Sequence, residues 1–181
     1  AQRSIKSGDR EVHMTETSSL RLHILDLLHE IDRILAGGEP ELTRLDRVVA
    51  FLHKRVAHYT WVGVYLMEGD ELVLGPFRGK PSPHTRIELN NGICGAAASQ
   101  KQTIVVPDVN ADSRYLACSL ETKSEIVVPL MDGSECLGEI DVDSDQPDAF
   151  RQPDQELLES LAARLIPIVK GAKESALPPA S

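Results

Sequence analysis

The chain has 181 residues and a mass of 19.8 kDa, which suits one domain able to bury an ordinary core without disulfides or a structural metal. A formal charge of −9, a pI near 5.1 and no cluster of Lys or Arg longer than a dipeptide argue against a nucleic-acid or anionic-membrane surface. No apolar run approaches the roughly 20 residues of a membrane helix and no leader-like order of charged, apolar and small residues is present, so a cytoplasmic protein is expected.

Residues 1–17 are polar and patternless, with Met14 a candidate natural start, and are set aside as a disordered or cloning-derived segment. After the cap candidates Ser18 and Ser19, the helical repeat of Leu20, Ile24, Leu27, Leu28, Ile31 and Leu35 predicts a first helix that stops at Gly37 and Gly38. A second helix follows Pro40, with Leu42, Leu45, Val48, Val49, Leu52 and Val56 on one face. Both stripes read as core or dimer seam. From Thr60 the period becomes that of strands: "TWVGVYLM", a turn at Glu68 to Asp70, then "ELVLGPFRG" predict a hairpin. "TRIEL" is a short strand, "NNGICGAAASQ" a glycine-flanked turn entering a small helix, and "TIVVPDV" a further strand. A polar loop from Asn110 to Ser124 precedes a last hairpin, "EIVVPLM" and "CLGEIDVDS". A closing helix is predicted from Gln152 to Val169, with a loose tail over 171–181. The expected architecture is α+β over 18–170: an antiparallel sheet with the terminal helices on one face and a ligand pocket under loops on the other.

In the last hairpin, a three-residue turn at Asp132 to Ser134 would set Glu125 opposite Asp141 and Val127 opposite Glu139. Alternation then puts Ile126, Val128, Leu130, Cys136, Ile140 and Val142 on a core face and Glu125, Glu139, Asp141 and Asp143 on the other. Opposed like charges destabilise a sheet by up to ~1 kcal/mol per pair. An acid-rich strand is therefore either open to water or part of a pocket whose acids hold a cation and raise one another's pKa. A calcium loop beginning at Asp141 fails, because Gln146 stands where the sharp turn needs Gly and Gln152 where a bidentate Glu belongs.

The three cysteines, Cys94, Cys118 and Cys136, form no C-x-x-C pair and indicate neither a disulfide framework nor a zinc knuckle. Cys118, in a polar loop near the acid strand, is the best nucleophile candidate, although the carboxylates alone would raise its pKa. Cys94, within "GICG" at a helix start, is either an activated thiol, part of an anion-binding turn, or a small residue packed between glycines. Cys136 is expected to be inert in the core.

Taken in order and spacing, "WVGVYLM", "LVLGPFRGK", "RIELNNGICGAA", "VPDVNADSRYLACS", "SEIVVPLM" and "LGEIDVDSD" resemble the free methionine-R-sulfoxide reductase branch of the GAF-domain family, over roughly residues 45–165. The resemblance implies reduction of the R-epimer of free methionine sulfoxide, with Cys118 as sulfur nucleophile. It implies that Glu125, Asp141 and Asp143 hold the substrate ammonium and protonate the sulfoxide oxygen. Trp61 and Tyr65 match aromatic residues that wall the substrate methyl, and Ile93 and Cys94 fall at the substrate-facing helix start, Cys94 matching a second family cysteine. No bound cofactor or metal is implied; the expected partners are free methionine sulfoxide, a thioredoxin- or glutathione-type thiol reductant, and a second copy of the chain in a homodimer active against oxidative stress. The sequence departs from the family at three places: His84 stands where the resolving cysteine belongs, Arg114 and Tyr115 replace a Gly-His pair, and Ser119 replaces an acid. Arg114 is then a candidate for the positive charge that stabilises a Cys118 thiolate. These departures keep open a second reading, a catalytically inactive small-ligand sensor, and a third, an interaction protein with an incidental thiol.

Overall fold

The computed structural model describes residues 7–116 and 119–176. Four helices, α1 (Ser7–Leu35), α2 (Glu41–Arg55), α3 (Gly92–Gln100) and α4 (Gln152–Ala176), accompany six strands. The strands are β1 (Trp61–Glu68), β2 (Glu71–Arg78), β3 (Arg86–Glu88), β4 (Ile104–Val106), β5 (Ser124–Asp132) and β6 (Glu135–Ser144). They form one antiparallel sheet in the order β3-β2-β1-β6-β5-β4, so the first and last long strands are neighbours at its centre. The expected α+β plan is what the chain adopts.

Two apolar layers sandwich the sheet. On one face α1, α2 and α4 supply Leu27, Ile31, Leu45, Leu52, Leu158 and Leu165, which meet Val62, Val64, Ile126, Val128, Ile140 and Val142 from the strands. Each such side chain, fully buried, contributes roughly 1.5–3 kcal/mol relative to exposure. α2 follows the expected stripe through Leu45, Val48, Val49 and Leu52, with Glu41 in its first turn and His53, Lys54 and Arg55 in its last, as the helix dipole favours. Leu42, expected on that stripe, is instead half exposed, as is Leu20 of α1. On the other face the short helix α3 covers a smaller cluster that includes Trp61, Tyr65, Ile87, Ile93, Cys94, Val106 and Val127.

Helix ends depart from expectation in both directions along the chain. α1 begins at Ser7 rather than after Ser19, and α4 runs to Ala176 rather than Val169, carrying Pro167 within it. A proline in a helix removes one backbone hydrogen bond, and the buried Leu165, Ile168 and Val169 on either side hold this segment against the sheet.

The last hairpin corrects the expected register. Asp132 pairs with Glu135, which leaves a two-residue turn at Gly133 and Ser134, and the register then shifts between Leu130 and Met131. Leu130 faces Gly138 while Met131 faces Cys136, so Leu137 is an extra residue on β6. Past this bulge Val127 faces Asp141 and Glu125 faces Asp143, two residues away from the expected partners. A two-residue displacement preserves the side of the sheet, which is why the acid face survives. On the turn side of the bulge the alternation breaks: Leu137 enters the helix-covered core, and Cys136, expected there, packs half-buried on the opposite face. Gly138 sits at φ +155°, and a Cβ there would stand 2.1 Å from the Tyr65 carbonyl oxygen. Only glycine lets β6 lie against β1 at this point.

Candidate active site

The acids occupy the centre of the sheet. Along β1 and β6, Trp61 faces Asp143, Gly63 faces Asp141 and Tyr65 faces Glu139, so the acids of β6 descend in steps of two residues beside an aromatic, a glycine and an aromatic. Glu125 joins them from β5 opposite Asp143. All four carboxyls are buried, from 0% exposure at Glu139 to 5% at Glu125. The open-water explanation of the acid-rich strand therefore fails.

Trp61 owes its place to two glycines. Its ring lies across Gly63, where a Cβ would come within 2.2 Å of the indole, and against Gly79, where a Cβ would come within 2.6 Å. The indole stacks on Phe77 at 5.8 Å between centroids and donates from Nε1 to the Lys80 carbonyl at 3.0 Å. Tyr65 lies one step deeper and is fully buried, its hydroxyl donating to the His84 carbonyl at 2.8 Å. His84 thus anchors the loop before β3 through its backbone.

A cavity of about 330 Å3 opens above Asp143, lined by Trp61, Lys80, Ser82, Ser119 and Thr122 among others. Lys80 and Glu121 form an ion pair of 2.6 Å at its rim. Thr122 donates from Oγ1 to Asp143 Oδ2 at 3.1 Å. Cys118 lies outside the described residues, so its sulfur has no stated position. The chain on either side of it borders the site: Ser119 lines the cavity, and Leu116 packs where a Cβ on Gly92, the first residue of α3, would stand 2.7 Å from its Cδ1.

α3 lies over the acids Glu125 and Asp141. Gly95 lets it approach the preceding loop, since a Cβ there would sit 2.5 Å from the Glu88 carbonyl oxygen. This close seating brings Cys94 onto the acids, with Sγ 3.4 Å from Asp141 Oδ2 and 3.9 Å from Glu125 Oε1. Ile93 beside it is buried in the same cluster. Arg114, the candidate counter-charge for a thiolate, is instead engaged by Asp112 through Nε at 3.0 Å and Nη2 at 2.7 Å.

Electrostatics follow from burial. Desolvation, then the charges of Asp141 and Asp143, push Glu125 well above the ordinary carboxylate range. Asp141 is raised by burial and by Asp143, with its contact to the Cys94 thiol acting the other way. Burial raises Glu139 strongly as well. Asp143, nearest the cavity, is raised by burial to about 7, with the Thr122 hydroxyl opposing. The Cys94 thiol is pushed well up by burial and by Asp141, Glu139 and Glu125 in turn, so it is a protonated thiol rather than a standing thiolate.

Glu139 belongs to this set although the sequence argument gave it no role. Its carboxyl meets the Cys94 thiol, which opposes the effect of burial on its pKa, and Oδ1 of Asp141 is buried without a hydrogen-bond partner among the described residues. The signal was its shared parity with Asp141 and Asp143, which placed it on the same face.

Known proteins share the sequence and fold of this chain. The GAF domain family matches residues 30–166. GAF domain-containing protein A of Dictyostelium discoideum is 41% identical over 134 residues, covering 74% of this chain and 84% of the relative. The free methionine-R-sulfoxide reductase of Escherichia coli K12 is 36% identical over 140 residues, covering 77% and 84%. The crystal structure of free methionine-R-sulfoxide reductase from Neisseria meningitidis in complex with its substrate superposes with a TM-score of 0.78 at 34% identity, covering 84% of this chain and 92% of that one. A buried acid nest, a tryptophan wall and a helix bearing "GICG" are set on this scaffold: the chain belongs to the GAF-domain family, among relatives that include free methionine-R-sulfoxide reductases.

Proposed function

We propose that this protein reduces free L-methionine-(R)-S-oxide to methionine at the expense of a thiol. The reading is supported by the relatives named above and carried by one observation: Glu125, Asp141 and Asp143 are buried together on one face of the sheet, beside a cavity walled by Trp61 and bordered by Ser119, the chain neighbour of Cys118. Buried acids at one side suit the substrate ammonium, and the amino end of α3 suits its carboxylate. Trp61, with Tyr65 beneath it, offers an apolar wall to the S-methyl group.

In this mechanism the Cys118 thiolate attacks the sulfoxide sulfur while a protonated carboxyl, Glu125, delivers its proton to the oxygen. The Cys118 sulfur bonds to the substrate sulfur as the S–O bond breaks and the oxygen, taking a second proton from a neighbouring buried carboxyl, departs as water. Water then attacks the Cys118 sulfur, methionine leaves with the S–S electron pair, one proton returns to the carboxylates, and Cys118 is left as a sulfenic acid. A second thiol then condenses with it to a disulfide and water. His84 supplies no sulfur and Cys94 is buried against acids that hold its proton, so an outside thiol of the glutathione or thioredoxin kind is the reductant. The reading puts the enzyme in the cytoplasm, where such thiols are kept reduced. Among the described residues no helix is long and apolar enough to cross a membrane. It also pairs two copies through α1, where Leu22 and Leu25 stand exposed three residues apart.

The test is thiol consumption with free Met-R-sulfoxide as sole oxidant, comparing the parent with Cys118→Ser. Turnover that vanishes in the variant, with a sulfenic acid or mixed disulfide on Cys118 by mass spectrometry after one turnover, is the expected result. Undiminished turnover in Cys118→Ser would overturn the mechanism, and a parent that binds the sulfoxide without oxidising thiol would be a ligand-binding module.

A further inference from the structure

Two threonines hold Asp143, one by its backbone and one by its side chain. Thr60, just before β1, donates its amide and its Oγ1 to the Asp143 carbonyl at 2.9 and 3.2 Å. Thr122, just before β5, donates its Oγ1 to the carboxyl Oδ2 at 3.1 Å. Both threonines line the cavity that opens above this acid. Thr122 is itself only 7% exposed. A hydroxyl so buried needs a partner, and a β-branched side chain has few rotamers from which to reach another.

The backbone that carries Thr122 is fixed as well. Its neighbour Lys123 donates its amide to the Ser144 carbonyl at 2.8 Å and accepts from the Val109 amide at 2.9 Å, and the next residue, Ser124, donates from Oγ to the Gln146 carbonyl at 2.7 Å. The approach to β5 is thereby tied to the end of β6, the strand that bears Asp143. The hydroxyl is in place before any substrate arrives, as a supporting shell requires.

The three acids of the proposed site are not served alike. Glu125 and Asp141 meet the Cys94 thiol, a weak donor, whereas Asp143 receives a hydroxyl. A hydrogen bond donated to a carboxylate favours its charged form, and carboxyls whose surroundings pull their proton affinities apart can take opposite tasks. We propose that Thr122 is a positioning residue that orients the Asp143 carboxyl at the cavity as the anion receiving the substrate ammonium, while Glu125 and Asp141 carry the protons. This rests on the reductase reading and adds a division of labour among its acids. The charged groups around Asp143 are Glu125 opposite it on β5, Asp141 on its own strand, Asp145 just beyond that strand, and the Lys80–Glu121 pair at the rim; β1 presents only Trp61 to it. A change at Thr122 removes none of these, so its effect is read against a constant background.

The experiment follows the Asp143 carboxyl by 13C NMR, its resonance assigned by its loss in Asp143→Asn, and in parallel measures kcat and KM for free Met-R-sulfoxide across pH. Thr122→Val removes the hydroxyl and should raise the titration midpoint of the carboxyl by about one pH unit, a tenfold change in proton affinity. With the parent midpoint at about 7, KM should then rise roughly fivefold over the parent's at pH 7, the ratio of the ionised fractions, and match the parent's at pH 9. Thr122→Ser restores the donor and should titrate like the parent, with a parental KM. Circular dichroism verifies that each variant is folded, and Thr122→Ala serves if Thr122→Val is not. An unmoved midpoint in the folded variant, failure of Thr122→Ser to restore it, or a KM unchanged at pH 7 would each overturn the proposal. A parent that turns over no sulfoxide would count against the reductase reading instead; the carboxyl titration needs no substrate and still decides whether Thr122 holds Asp143 as the anion.

Discussion

Trp61 and Asp143 are partners across β1 and β6, which sets an indole and a carboxyl side by side on one face at the mouth of the cavity. The carboxyl is pushed by burial to about 7, so its protonation changes within the physiological range. Turnover should therefore depend on pH with an inflection near neutrality. In Asp143→Asn that inflection should disappear from the profile of kcat/KM; a profile unchanged from the parent would separate Asp143 from the reaction.

The same group makes a stability prediction. Its folded pKa lies above the ordinary 3.8, so the folded chain binds more protons than the unfolded one between about pH 4 and about pH 7. Stability from this group is fully present below that window and is lost as pH rises through it. Glu125, Glu139 and Asp141, raised in the same direction, extend the loss upward. The denaturation midpoint should be higher near pH 5 than near pH 8, and Asp143→Asn should flatten the slope. A midpoint that climbs over this range would contradict the burial of ionisable acids.

Trp61→Ala removes a side chain that is 8% exposed, stacked on Phe77 and bonded to the Lys80 carbonyl. Truncating a buried aromatic costs roughly 3–5 kcal/mol. KM for the sulfoxide should rise with it. Trp61→Phe keeps an aromatic wall and should recover much of the KM but not the hydrogen bond; urea unfolding and initial-rate kinetics separate the two effects.

At the far edge of the molecule, Asp154 at the start of α4 receives the Tyr59 hydroxyl at 3.0 Å and contacts His58 Nε2 at 2.7 Å, while its other oxygen accepts the Arg151 amide. Although burial raises its pKa, the His58 and backbone hydrogen bonds outweigh that and leave it lowered. This contribution is present above the ordinary carboxylate pKa and fades as pH falls through the lowered one. Asp154→Ala strands the buried tyrosine hydroxyl and should cost about 1–3 kcal/mol at neutral pH, with turnover at permissive temperature unchanged.

Gly138→Ala should be worse than its size suggests. The added methyl would meet the Tyr65 carbonyl at 2.1 Å, and backbone cannot yield as a side chain can. A loss of about 1–3 kcal/mol, the range for overpacking, is expected in chemical denaturation. Leu137→Ala, one residue away, would lose contacts in the helix-covered core and provides the comparison.

Most of the architecture could be read from periodicity because the strands are short, bounded by turn residues and patterned on two different apolar layers. The acid face could be read for the same reason: Ile126, Val128, Ile140 and Val142 alternate with Glu125, Glu139, Asp141 and Asp143, and an error of two residues in pairing leaves parity intact. Cys136 could not, because a single extra residue at Leu137 reverses parity beyond it and alternation alone carries no sign of a bulge. The engagement of Arg114 by Asp112 was also hidden, since two residues that close in a loop can point anywhere. Glu139 was visible but passed over: nothing in the sequence says whether an acid on that face is wet or buried. The long ends of α1 and α4 were missed because polar helical turns lack the apolar stripe on which such a reading depends.

The acids stand on two interior strands, each hydrogen-bonded along both sides, whereas Cys94 is carried by a short helix laid over them. A change on β5 or β6 is transmitted to neighbours on either hand and to the helical layer behind the sheet. Divergence toward other sulfur-containing or amino-acid ligands is therefore easier in the roof than in the floor, and a laboratory search for altered specificity would do best to randomise the start of α3 and the rim around Lys80 and Ser82.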